Sequence, residues 1–340
     1  MSPPASTEAE VVARRTSRPL WIRGAVAFVV LGVVAWVVVS RPGMLDTTRL
    51  VEAMRAVGIA PFVVGLAGGL GVAALQALRW WYLARPVVDM RYRDALATVM
   101  VGSLINSLLP ARAGDVLRVQ YLQDRTRASR ATILATEVVD FWVDKSGWVP
   151  AFALYATMGA PPAWMNKAVL VVGGATAVIV VAHWLFRARM RGVSPTRNDV
   201  LARFARGISD LDMRRLAVSG LAFAALPWAW EAAVVVCVGR MSGLPLSVLD
   251  GFVLLTVFNL ATIVPVPGNL GTFEAASSSL LVSLGIPLER ALAFSLVYHA
   301  SQLLPGIVGG ALALLVRRFT QVTPPLAAFA EAPAPPGGQI

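Results

Sequence analysis

Histidine and cysteine are nearly missing from this chain: its 340 residues hold two histidines, His183 and His299, and one cysteine, Cys237. A lone cysteine inside an apolar run forms no internal disulfide and reads as packing. Two distant histidines cannot supply a clustered multi-histidine metal site, although a carboxylate-based one stays open. No Cys–His or Ser–His nucleophile arrangement is visible, and general acid–base schemes lack their commonest group. Charge is scarce too, at 14% of residues against 57% hydrophobic. That balance, with several apolar runs long enough to cross a bilayer, argues against a water-soluble domain. The formal charge of +11 does not form a nucleic-acid patch, because the arginines fall in short loops between apolar runs. There, positive charge sets membrane orientation and meets anionic lipid, so no nucleic-acid partner is expected.

What is present is a series of apolar segments, and the expected fold is an all-α, polytopic integral membrane protein. Six runs read as full spans: Leu20 to Ser40, Gly58 to Leu83, Thr132 to Met158, Ala168 to Phe186, Leu216 to Gly239 and Ala291 to Val316. Two further runs, Asp94 to Leu109 and Leu246 to Val264, each meet a proline and glycine break followed by a segment too polar or too short to cross. The breaks are Asn106 to Asp115, with Pro110 and Gly114, and Asn259 to Glu274, with Pro265, Pro267, Gly268 and Gly271. Proline removes a backbone donor and stops a helix, and irregular backbone survives at membrane depth only against protein or a wet cavity. Both pairs therefore read as re-entrant broken-helix hairpins.

The basic residues test the orientation. With the amino terminus inside, 23 fall in cytoplasmic segments and six outside, which places both termini in the cytoplasm. The first hairpin then enters from the cytoplasm and the second from outside. Span, hairpin, span over 58–158 recurs upside down over 216–316, an inverted-topology repeat whose breaks are expected to meet near the midplane. Residues 1–19 read as a disordered cytoplasmic tail and 319–340 as a disordered Pro/Ala-rich one, flanking a transmembrane domain over 20–318. The basic loop 187–215 carries apolar residues at helical spacing, which predicts an interfacial amphipathic helix.

Candidate chemistry sits at the breaks. Arg112 and Arg118 flank a short helix beginning near Asp115, and guanidinium groups beside free helix amides suit a phosphate; Asp115 as a simple helix cap is the plainer alternative. The second break offers Asn259, Asn269 and Glu274, whose carboxylate suits a cationic head-group moiety or a proton. Glu137, Asp140 and Asp144 share one face of the Thr132 to Met158 helix, with Lys145 next to them, and three acids in a span need a cavity or partners. Arg79, Trp80, Trp81 and Tyr82 read as an interface anchor. Glu231, His299 and Gln302 read as interhelical hydrogen-bonding groups.

On Asn106-x-x-x-Pro110-x-Arg112-x-Gly114-Asp115-x-x-Arg118 and Pro265-x-Pro267-Gly268-x-x-Gly271-x-x-Glu274, in that order, the chain resembles the transmembrane, flippase-like domain of lysylphosphatidylglycerol synthases. It is also similar to that domain's stand-alone relatives in bacteria and archaea, and the likeness covers nearly all of Leu20 to Arg318. The resemblance implies a multi-pass protein of the bacterial cytoplasmic membrane that moves an anionic or zwitterionic phospholipid, or a polyprenyl-phosphate-linked lipid, between leaflets. It implies no cofactor, metal or catalytic residue, and is compatible with a homodimer or a lipid-synthesising partner. Two departures stand out: Asn269 replaces a glycine common in relatives, and no arginine adjoins Glu137 or Asp140 in sequence. The aminoacyl-transfer domain of the fused synthases has no counterpart in these residues, so lipid handling is expected rather than lipid synthesis. The alternatives are an integral membrane enzyme acting on a lipid phosphate, with the three acids holding a hard cation, and a non-transporting scaffold.

Overall fold

Nine helices run through the described part of the chain, and their boundaries follow capping residues and breaks. The structure is a computed structural model that describes residues 46–109, 113–126, 128–158, 221–262, 264 and 266–321, with isolated positions 174, 178, 181 and 185. The expected span Leu20 to Ser40, most of Ala168 to Phe186, the loop 187–215, the amino-terminal tail, and Pro110, Arg112 and Pro265 lie outside the described residues.

Helix α1 (Thr47–Val57) leads into α2 (Ile59–Ala84), α3 (Tyr92–Leu108), α4 (Ala113–Gln123) and α5 (Arg130–Met158). Then come α6 (Leu221–Met241), α7 (Val248–Ala261), a 3-10 turn at Pro267–Asn269, α8 (Thr272–Ser283) and α9 (Leu288–Gln321). Strands are absent among the described residues. Helix lengths of 26, 17, 11 and 29 residues for α2 to α5 are echoed by 21, 14, 12 and 34 for α6 to α9. Helix α1 was not expected from the sequence. It forms because Asp46 Oδ1 accepts from the free amides of Thr48 and Arg49 at 2.9 and 3.1 Å. At α7, Ser247 Oγ accepts from the Asp250 amide and Asp250 Oδ2 from the Ser247 amide, a reciprocal cap that fixes where the helix starts.

Three helices are long and apolar enough to cross a membrane: Ile59–Ala84, Ala222–Met241 and Leu288–Arg318. In the first and last of these, only 28% of the most apolar window is buried, so most of that surface faces outward. Ile59, Val63, Leu70, Leu312 and Leu315 are among the exposed side chains, and lipid is the solvent that suits them. Helix α5 is as long but carries Glu137, Asp140, Asp144 and Lys145 along its length.

Each four-helix group has its own core. Trp80, Val88, Met90, Leu122 and Ile133 pack together from α2 to α5, and Phe258, Phe273, Phe294 and Tyr298 stack from α7 to α9. The groups join through small residues: a Cβ on Gly68 of α2 would lie 2.4 Å from Val234 of α6, and one on Gly310 of α9 would lie 2.5 Å from the Met100 carbonyl oxygen of α3. Close backbone approach of this kind is how helices gain contact when lipid removes the hydrophobic incentive. Outside the packed interior, the Arg317 guanidinium at the end of α9 binds Asp124 after α4, and that hydrogen bond holds the Asp124 carboxyl below the usual carboxylate range. This tie contributes stability above that range and loses it as the pH falls through the lowered value.

Gly310→Ala is expected to destabilise the detergent-solubilised protein by about 1–3 kcal/mol through overpacking against a backbone oxygen. Leu312→Ala, at a side chain 55% exposed, is expected to stay within about 0.5 kcal/mol of the parent. Thermal or denaturant unfolding of both variants checks the contrast.

Candidate functional site

At the first break, Asn106 ties the end of α3 to the start of α4. Its Oδ1 accepts from the Gly114 amide at 2.8 Å, and its Nδ2 donates to Asp115 Oδ1 at 3.2 Å. Gly114 is required there, since a Cβ would sit 2.1 Å from the Gly102 carbonyl oxygen. One of the free amides that sequence reasoning offered to an anion is therefore already occupied, by Asn106. Arg118, one turn into α4, forms an ion pair with Glu137 Oε2 of α5 and lies 3.9 Å from Asp115 Oδ1. Its guanidinium lies 5.5 Å from the Trp80 ring centroid. Two buried atoms of this cluster have no hydrogen-bond partner among the described residues: Arg118 Nε, a donor, and Glu137 Oε1, an acceptor.

Arg79 overturns its sequence reading as an interface anchor. It is 3% exposed, and Trp80 beside it 1%. Arg79 Nε and Nη2 donate to the two oxygens of Asp140 at 2.8 and 3.1 Å, and Nη1 donates to Asp144 at 2.7 Å. Trp80 Nε1 donates to Thr136 of α5. The missing signal was one of balance: three acids on α5 need buried cations, and Arg79 is the arginine lying inside the preceding apolar run. The arginine that is absent next to Glu137 and Asp140 in sequence is thus supplied by other helices, Arg118 for the first and Arg79 for the second.

The network continues beyond Arg79. Asp144 Oδ2 lies 3.1 Å from Lys145 Nζ, which donates to Asn259 Oδ1 of α7 at 2.9 Å. Asn259 in turn donates to the Leu255 carbonyl. Asp140, Asn259 and the acidic face of α5 are thereby brought into one connected set reaching from α2 to α7.

The second break turns on left-handed backbone. Gly268, Asn269 and Gly271 have φ of 56°, 55° and 80°. Asparagine is among the few other residues that tolerate that region, which accounts for Asn269 at this position of the break. Glu274 Oε2 accepts from the Gly271 amide at 2.7 Å, closing the start of α8, while Oε1 lies 2.6 Å from His299 Nδ1 on α9. The Phe273 ring stacks on His299 with centroids 4.2 Å apart. His299 is therefore an interhelical partner, as is Gln302, which donates to the Gly65 carbonyl.

The two breaks touch. A Cβ placed on Gly268 would lie 3.4 Å from the Ser107 carbonyl oxygen and 3.6 Å from its Cα. The expected site residues fall into three bonded sets: Asn106, Asp115, Arg118 and Glu137 in one, Asp140 and Asn259 in the next, and Glu274 with the turn that holds Asn269 in the last. Among the described residues no group of three or more His, Cys, Asp or Glu is arranged to hold a metal ion, and the three acids of α5 are each paired with a guanidinium.

Outward-facing apolar helices around buried ion pairs define a multi-pass membrane protein. The chain matches the family described as the lysylphosphatidylglycerol synthase TM region over residues 21–310, and it belongs to that family. None of the curated proteins matches it. Membership suggests a role connected with membrane lipids.

Arg79→Ala is expected to lower the unfolding free energy by about 3–5 kcal/mol, because it leaves two buried carboxylates without their cation. Denaturant unfolding of the protein in detergent measures this, and a loss under about 1 kcal/mol would contradict the assigned pairing.

Proposed function

We propose that this protein moves a lipid with a charged head group between membrane leaflets. The observation that carries the reading is the pair of buried atoms without a partner among the described residues, Arg118 Nε on the helix that follows the first break and Glu137 Oε1 on α5. A buried donor and acceptor left open are costly unless a ligand or water fills them. The Arg118 guanidinium, with Arg112 close by in sequence, suits a head-group phosphate, and Glu137 Oε1 suits an amine or hydroxyl on the same head group. Glu274 is less available as a direct ligand than its position in the motif suggested, since both its oxygens are engaged. It shapes the second break instead, with Asn269.

In this reading α3 with α4 and α7 with α8 are re-entrant hairpins entering from opposite sides, and the halves 58–158 and 216–316 are inverted repeats. About six full spans and two cytoplasmic termini complete the topology. Arg79 and Arg118 are buried rather than loop positives, which leaves 21 inside basic residues against six outside, still a strong bias. The tails of the lipid stay in the bilayer while the head group passes the polar interior, and rocking of one repeat against the other gives alternating access. The cytoplasmic membrane of a bacterium is the expected setting.

Proteoliposomes loaded with head-group-labelled anionic and zwitterionic phospholipids test this. Arg118→Ala and Glu137→Gln are each expected to slow transfer of the preferred lipid at least about tenfold, a loss of roughly 1.4 kcal/mol at the barrier. Parental rates for both variants with every lipid would overturn the reading.

A further inference from the structure

Glu231 stands at the centre of a membrane-crossing helix without a partner among the described residues. It lies ten residues from each end of α6 (Leu221–Met241), is partly buried, and makes no hydrogen bond or ion pair with any described residue. The other carboxylates of the interior are all engaged: Asp140 and Asp144 by Arg79, Glu137 by Arg118, and Glu274 by His299.

Its surroundings come from every helix packed on α6. Trp228, one turn earlier, donates Nε1 to the Asp144 carbonyl at 2.9 Å, and Lys145 Nζ lies 5.6 Å from the Trp228 ring centroid. Asp144 and Lys145 of α5 are accordingly the charged groups that act on Glu231. Arg79 of α2 is committed to Asp140 and Asp144, while Asn259 of α7 holds Lys145. From α9 comes Tyr298, 0% exposed, whose hydroxyl has no hydrogen-bond partner among the described residues. His299, next to it, is taken by Glu274. Two cations, Arg79 and Lys145, thus face three carboxylates, Asp140, Asp144 and Glu231. Among the described residues the cluster is one positive charge short, in a place where uncompensated charge is expensive.

We propose that Glu231 is a proton-binding site inside the membrane. Loading forms the carboxyl O–H bond and makes the cluster neutral; release breaks that bond and leaves the carboxylate, the proton returning to the aqueous phase whose pH sets the occupancy. The site does not depend on lipid movement, and it lies outside the motifs on which the family resemblance rests.

Infrared difference spectroscopy of the full chain in nanodiscs, taken across a pH series, tests it without any lipid substrate. A carbonyl band of a protonated carboxylic acid is expected, lost as the pH rises, absent in Glu231→Gln and kept in Glu274→Gln. Sodium added at fixed pH is expected to leave the band in place. Absence of the band, its persistence in Glu231→Gln, or its displacement by sodium would each overturn the proposal. A null transport assay alongside an intact band would count against lipid movement and leave the proton site standing.

Discussion

One guanidinium, that of Arg79, holds the interior together. It takes both oxygens of Asp140 and one of Asp144, so α2 and α5 are joined by three charge-assisted hydrogen bonds in a region with little water to replace them. Without it, a helix bearing Glu137, Asp140 and Asp144 would carry uncompensated charge among apolar neighbours. Asp144 passes the connection to Lys145, and Lys145 passes it to Asn259, two residues before the end of α7 at the second break. A single polar chain therefore links α2, through α5, to the end of α7 at the second break.

The breaks use one device twice. At the first, the Asn106 side chain closes the Gly114 amide; at the second, the Glu274 carboxylate closes the Gly271 amide. Each short helix thereby starts with a backbone donor satisfied by a polar side chain of its own motif, which is what irregular backbone at membrane depth demands. Contact of Gly268 with Ser107 then covers part of each break with the other. The Arg118 and Glu137 pair, with its open donor and acceptor, lies on the first of these breaks. Family membership suggests a role connected with membrane lipids.

Among the described residues, the order of the long apolar helices and the existence of both breaks were legible in the sequence, because proline, glycine and apolar run length act locally. Asn269 was legible only as a departure; its left-handed backbone explains it. Arg79 was not legible as a core residue, because its burial depends on α5 packing against α2, and a basic residue near the end of an apolar run looks the same whether it faces lipid head groups or carboxylates. The pairing of Glu274 with His299, 25 residues apart, likewise needed the packing of α8 on α9. Helix α1 was overlooked although its Asp46 cap is a local signal, since attention to long apolar runs passes over a short amphipathic helix.

Everything above depends on the two breaks meeting inside the membrane, and cross-linking reads that contact directly. With Cys237 replaced by serine, the double variant Ser107→Cys, Gly268→Cys in native membranes is predicted to form an intramolecular disulfide on mild oxidation, seen as a joined peptide pair by mass spectrometry. Ser277→Cys with Ser295→Cys serves as the packed control, since those hydroxyl oxygens lie 2.8 Å apart. A control pair that links while the 107–268 pair stays free would contradict the account.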